Sequence, residues 1–202
     1  MDISLLNPLP RSFYERSTVQ VAQDLLGTIV VRTWNSQILA GIVTETESYG
    51  GPDDPASHAY TKKTERNAAM FGPVGHSYLY FIYGNHYCLN FVARAPESNA
   101  GAVLIRSLLP LHGKEYMQQL RGNVSESQLT NGPGKICQAL GLTRLENFQD
   151  ITYKNNVYVV PGINVTSDNF EHTARIGISK AQDRLWRFVL KKNFLLPHHL
   201  AL

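Results

Sequence analysis

Glu45 and Glu47 stand two residues apart in GIVTETESY, a run that is otherwise mostly apolar. On a strand that spacing puts both carboxylates on one face. Leu39 and Val43 are expected on the same face, so at least one carboxylate is drawn toward a dry environment where its ionisation follows its neighbours. Read alone, the pair is equally a solvated strand end. Paired carboxylates also serve glycoside hydrolysis, but there they flank the scissile bond from opposite sides, which neighbouring positions on one strand do not readily do.

Immediately downstream, SYGGPDDPASH supplies Tyr49, a Gly50-Gly51-Pro52 turn, Asp53, Asp54 and His58. A glycine-rich bend lets the loop fold back over its own strand, so that Tyr49 and His58 face each other across a slot with room for a third flat ring. Each taken singly is a packing tyrosine and a surface histidine. Arg106 interrupts the apolar run AVLIRSL, and a buried guanidinium needs a carboxylate or phosphate partner. Glu47 is the obvious one, although an arginine reaching solvent from a strand end fits the run as well. Six aromatic residues fall within residues 75–91, divided by Tyr83-Gly84-Asn85-His86. Gly-Asn between two β-rich runs predicts a hairpin whose tip points into water, which leaves Tyr83 and His86 in need of a partner. Asn131-Gly132-Pro133-Gly134-Lys135 resembles a phosphate-binding turn leading into a helix, without the spacing of a P-loop.

These residues need a scaffold, and the remaining pattern predicts one. Ser17 and Gln20 form a capping box for a helix over 18–26. Strands follow at 28–32 and 38–47, then a loop from 48 to about 63 and a short helix capped by Thr64 and ending near Phe71. After the aromatic hairpin come a strand at 102–108, helices at 113–121 and 134–140, and strands at 151–160, 174–179 and 185–190. Strands adjacent in sequence favour a mixed α/β (α+β) fold, a single domain over 1–202 with a central, mostly antiparallel curved sheet flanked by helices.

Composition agrees with a compact globule of 202 residues, 43% of them hydrophobic. No apolar run approaches the roughly 20 residues of a membrane span, and the N-terminal segment lacks the pattern of a signal peptide, so no membrane association and an intracellular location are expected. Cys88 and Cys137 form no CxxC pattern and are read as reduced core residues, with no metal or cofactor expected. A net charge of +3 permits a polyanionic partner without requiring one.

Taken together, TETESYGGPDDPASHAY, TERNAAMFGPVGHSYLYFIYGNHYCLN, GAVLIRSLLP and NGPGKICQAL resemble the alkyladenine (3-methyladenine, methylpurine) DNA glycosylases, in order from about residue 19 to 142. The last third matches more loosely, through ARIGI and the strand at 186–189. The resemblance implies a monomeric base-excision-repair enzyme acting on double-stranded DNA that contains damaged purines, in the cytoplasm or nucleoid of a bacterium or the nucleus of a eukaryote. It implies that Tyr83, on a protruding hairpin, enters the DNA and fills the gap left by a flipped nucleotide. The extruded base would lie among Tyr49, His58 and Tyr80, with Asn90 obstructing the amino group of normal guanine. Glu47 would be the general base that activates water, helped by Arg106. No lysine or N-terminal amine takes a nucleophile's place in the pattern, so excision without lyase activity is expected. Lys62, Lys63, Arg66, Lys135 and Arg175 are the expected DNA-backbone contacts, with Lys180, Arg184, Arg187, Lys191 and Lys192 as further candidates. Asn85-His86 departs from the bulkier apolar residue expected after the turn glycine, which makes the wedge less hydrophobic. A damaged-DNA-binding protein without catalysis is the alternative, and it would keep the wedge and slot without needing Glu47 and Arg106.

Overall fold

The computed structural model describes residues 2–82, 86–122 and 124–195. Among these residues, eight strands form one sheet: β1 (Ile29–Trp34), β2 (Gln37–Tyr49), β3 (Ser77–Ile82), β4 (His86–Val92), β5 (Ala102–His112), β6 (Val157–Val160), β7 (Phe170–Thr173) and β8 (Arg187–Leu190). The order is β3-β4-β5-β2-β1-β6, with β8 pairing to β2 beyond the end of β1 and β7 pairing to β8. All the strand pairings are antiparallel.

The long strand β2 is the spine, flanked by β5 on one side and by β1 and β8 in turn on the other. Its run from Leu39 to Thr44 is buried throughout, as suits a strand covered on both faces. One face packs on α2 (Thr18–Asp24), α3 (Lys114–Arg121) and α4 (Pro133–Ala139), where Val21, Leu25, Met117, Ile136 and Leu140 meet Leu39, Val43, Leu89, Phe91, Ile105 and Phe188. Ser17 accepts the Gln20 amide at 3.3 Å to cap α2, and Pro133 opens α4 at a position whose missing N–H costs nothing. The opposite face is apolar near β1 and β6, through Ile29, Val31, Ala40, Ile42 and Tyr158, and toward β3, β4 and β5 it carries a second apolar cluster that includes Tyr78, Val92 and Ala102, with Tyr49 and Tyr80 packed against it. The outer edge of β3 is closed rather than left to pair with another chain: Phe148 N–H donates to Ser77 O at 3.0 Å and Leu79 N–H to Asn147 Oδ1 at 3.0 Å.

Two bulges interrupt the β2–β5 pairing here, and the one at Thr44 decides which way the β2 carboxylates point. Val43 pairs with Leu108 and Glu45 with Ser107, so Thr44 is an extra residue on β2; Glu45 pairs with Ser107 and Thr46 with Ile105, so Arg106 is an extra residue on β5. Each insertion shifts the two-residue alternation by one, as bulges do beside functional sites. Beyond the bulge Thr46 faces the helices, its hydroxyl donating to Ala22 O of α2 at 2.7 Å. Glu45 and Glu47 therefore lie on the sheet face opposite Leu39 and Val43, not on their face as strict alternation predicts.

The expected elements otherwise recur with several differences. The helix expected after Thr64 is reduced to a 3-10 turn, Ala68–Phe71, preceded by Asn67; β5 runs past 108 to His112; and β7 is an additional strand. Strand 151–160 is reduced to β6, because residues 152–156 form bends ending in Asn155-Asn156. Residues 174–179 form no strand: β7 precedes them, Gly177 takes a left-handed φ of +77°, and Arg175 and Ile176 turn inward to partners on β2 and its following loop. Cys88 and Cys137 are free and buried. No helix among the described residues is long and apolar enough to cross a membrane.

Thr46→Val tests the bulge. It leaves Ala22 O buried without this donor and is expected to lower unfolding stability by about 1–3 kcal/mol in urea denaturation. A Thr46 that faced away from the helices would give no such loss.

Candidate active site

Because β3, β4 and β5 alternate in register, Tyr78, Tyr80, Ile82, Cys88, Asn90, Leu104 and Arg106 share one sheet face and line a cleft of about 480 Å³. Tyr78 stands opposite Asn90 and Tyr80 opposite Cys88. The other walls come from Tyr49 at the end of β2, from His58 in the following loop, and from Ile176 to Lys180.

Glu47 has no exposed side-chain surface and is not itself a lining residue. Three groups that do line the cleft hold it. Ile176 N–H donates to Oε1 at 2.7 Å, the Tyr49 hydroxyl to Oε2 at 2.8 Å, and Arg106 Nη1 to Oε2 at 3.4 Å. Burial pushes its carboxyl pKa above the ordinary glutamate value, while the Arg106 charge, the Ile176 amide and the Tyr49 hydroxyl pull the other way. The result is a carboxylate with increased affinity for a proton, kept within reach of the cleft by donors.

Arg106 does pair with Glu47, but its shorter contact is to Glu45, whose Oε1 accepts Arg106 Nε at 2.7 Å and Arg187 Nε at 2.6 Å. Glu45 thus fixes the arginine that faces Glu47. This double acceptor was not singled out from sequence, although the TETE spacing carries it.

His58 and Tyr80 stack on each other, ring centroids 3.8 Å apart and planes 25° from parallel. They form one two-ring wall with no gap between them. Tyr49 lines the same cleft apart from that stack. The expectation of Tyr49 and His58 as facing plates is thereby refined to a stacked pair and a separate tyrosine. Arg66 lies over the Tyr80 ring at 4.3 Å and donates to Phe81 O at 2.6 Å. His58 stands at the exposed rim with a ring face covered by Tyr80; desolvation first, then the Arg66 charge, push its pKa down to about 4, so the imidazole is neutral at pH 7. Asn90 Nδ2 donates to Tyr78 O at 3.0 Å and Cys88 O at 3.1 Å, which fixes its amide against the cleft.

The expected DNA-contacting cations divide. Lys62, Lys63 and Arg66 are exposed, and Lys135 is half-buried with its Nζ on Asn131 Oδ1 at 2.7 Å. Lys180 is exposed at the cleft. Arg175 corrects the expectation: its side chain has no exposed surface and its guanidinium is committed to Asp54 and Ser48, so it is not presented to a phosphate. Arg187 is likewise engaged, by Glu45 and Thr173. Tyr83, Gly84 and Asn85 lie outside the described residues; the strands on either side bring Ile82 opposite His86. Among the described residues, no group of three or more His, Cys, Asp or Glu side chains is placed to hold a metal ion.

A sequence profile of the methylpurine-DNA glycosylase (MPG) family matches residues 12–194. The chain belongs to that family. Its similarity to individual proteins is as extensive: it is 45% identical over 185 residues to a Carboxydothermus hydrogenoformans protein named "Putative 3-methyladenine DNA glycosylase", covering 92% of this chain and 96% of that one. Proteins of the same name from Koribacter versatilis and Ehrlichia chaffeensis are 40% and 42% identical, covering 93% and 90% of this chain and 92% of each of those proteins. As a member of the methylpurine-DNA glycosylase family, the protein is a DNA glycosylase.

The neutrality of His58 is checked by NMR. Its ring is expected to titrate near pH 4, and Arg66→Ala is expected to move that titration upward by removing the like charge. A wild-type ring titrating at about 6.5 contradicts this environment.

Proposed function

We propose that the protein is a monofunctional glycosylase that flips alkylated or deaminated purines out of duplex DNA and hydrolyses their N-glycosidic bond, leaving an intact abasic site. Residues 1–202 act as one catalytic unit and as a monomer inside the cell. The observation that carries this reading is a buried carboxylate, Glu47, held behind the wall of an aromatic cleft by Tyr49, Arg106 and the Ile176 amide.

The chemistry follows from those groups. Water attacks C1′ of the flipped nucleotide, its proton passes to Glu47, and the N-glycosidic electron pair leaves with the base. The negative carboxylate stabilises the positive charge that develops on the sugar, and Arg106 keeps Glu47 ionised and orients the water. A base already cationic, such as 3-methyladenine, leaves without being protonated. An electron-poor purine stacks favourably on Tyr49 and on the His58–Tyr80 pair, and a neutral His58 does not repel it. Asn90, fixed by its two backbone acceptors, refuses the extra amino group of guanine by clash. Tyr83 is the wedge that occupies the vacated stack, and Lys62, Lys63, Arg66 and Lys135 meet phosphates near the cleft. The substrate set is 3-methyladenine, 7-methylguanine, hypoxanthine and ethenoadenine.

Duplex oligonucleotides with one hypoxanthine or ethenoadenine, and alkylated DNA for the methylated purines, test the reading with wild type and Glu47→Gln. Wild type is expected to produce strand breaks only after hot alkali, and Glu47→Gln to lose about 10²-fold or more in rate while still binding the lesion. Binding without excision of any of these bases by wild type makes the protein a damage-binding module. Breaks without alkali exclude the monofunctional reading.

A further inference from the structure

The ion pair Asp54–Arg175 is more deeply buried than its sequence context suggests, with neither side chain exposed. Its geometry is a bidentate fork: Arg175 Nη1 to Asp54 Oδ2 at 2.6 Å and Nη2 to Asp54 Oδ1 at 2.8 Å. Asp54 also accepts the Gly50 amide at 3.0 Å and the Ala56 amide at 3.3 Å, so a single carboxylate folds the loop that carries His58 back on itself. Arg175 in turn donates to Ser48 O at 2.9 Å, on the residue between Glu47 and Tyr49. Its guanidinium lies 4.8 Å from the Tyr49 ring centroid and 5.2 Å from that of Trp186.

The next residue along is Ile176, whose amide donates to Glu47 Oε1. Arg175 makes no hydrogen bond to Glu47, yet it fixes both neighbours that do from this side, the Ile176 amide and the Tyr49 ring. Stability alone does not account for such a pair, since replacing a buried ion pair with well-packed apolar residues is often neutral or stabilising. A rigid fork holding two donors against a third group does account for it.

We infer that Asp54 and Arg175 are positioning residues for Glu47, locking the Ile176 amide and the Tyr49 hydroxyl in place on its carboxylate. This rests on the reading of Glu47 as the base. The groups that face Glu47 are Arg106 from β5, Glu45 and Tyr49 from β2, Cys88 from β4 and the Ile176 amide; the Asp54–Arg175 pair controls two of the donors among them. Loosening those donors removes stabilisation of the anion, so Glu47 then protonates at higher pH.

The experiment is single-turnover excision of hypoxanthine across pH by wild type, Glu47→Gln, Arg175→Lys and Asp54→Glu, with melting temperature and lesion affinity measured on the same preparations. Both positioning variants keep the charges but break the fork. The expected result is a loss of about tenfold or more in maximal rate that exceeds any loss of affinity, with the acid limb of the profile moved to higher pH. An acid limb at the wild-type position, with rate falling only as the folded fraction falls, overturns the inference and leaves Glu47 as the base. Failure of both variants to fold also overturns it, since the pair would then be a stabilising element. Wild type that excises nothing refutes the reading of the function itself.

Discussion

A carboxylate taken out of water is destabilised by several kcal/mol unless its charge is matched and its lone pairs are occupied. Glu47 has no exposed side-chain surface, and the elements around it converge on meeting that constraint. Arg106 supplies the charge, Tyr49 a hydroxyl and Ile176 an amide, from three different parts of the chain. The balance matters more than the sum. Full compensation would leave a carboxylate too weakly basic to take a proton, and none would leave it protonated; burial outweighing its partners yields a carboxylate with raised proton affinity.

Each donor depends on a structural device behind it. Arg106 lies on the cleft face by alternation with Ala102 and Leu104, at the point where β5 bulges, and Glu45 holds it there with Arg187 on the other side. Tyr49 and the Ile176 amide are steadied by the Asp54–Arg175 fork. The aromatic wall is arranged by simpler means, since strict alternation on β3 and β4 suffices to put Tyr78, Tyr80 and Asn90 on one face. The site thus divides into an aromatic wall set by regular pleating and a carboxylate pair set by the departure from it at Thr44.

That division explains what was legible in the sequence. The order of strands and helices, the carboxylate pair, Tyr49, His58 and Arg106 were readable because residue type and two-residue spacing carry them. Strict alternation puts Glu47 on the wrong face because Thr44, the bulged residue on β2, is not a glycine and carries no local mark of an insertion. Local pattern marks Arg175 as a phosphate contact, because its partner Asp54 lies 121 residues away, beyond any local signal. Segment 174–179 read as a strand from its apolar alternation, but its Gly177 at positive φ and its two inward contacts prevail over that propensity.

On the proposed function, a buried Glu47 with raised proton affinity sets the rate of excision. The most direct measurement is a carbon NMR titration of the glutamate side-chain carboxyls, compared with the pH dependence of single-turnover excision by the same protein. One carboxyl, absent from the Glu47→Gln spectrum, is expected to titrate above the ordinary value of 4.5 and to coincide with the acid limb of the rate. A Glu47 signal that titrates at or below that value, or a rate whose acid limb follows a different group, contradicts the account.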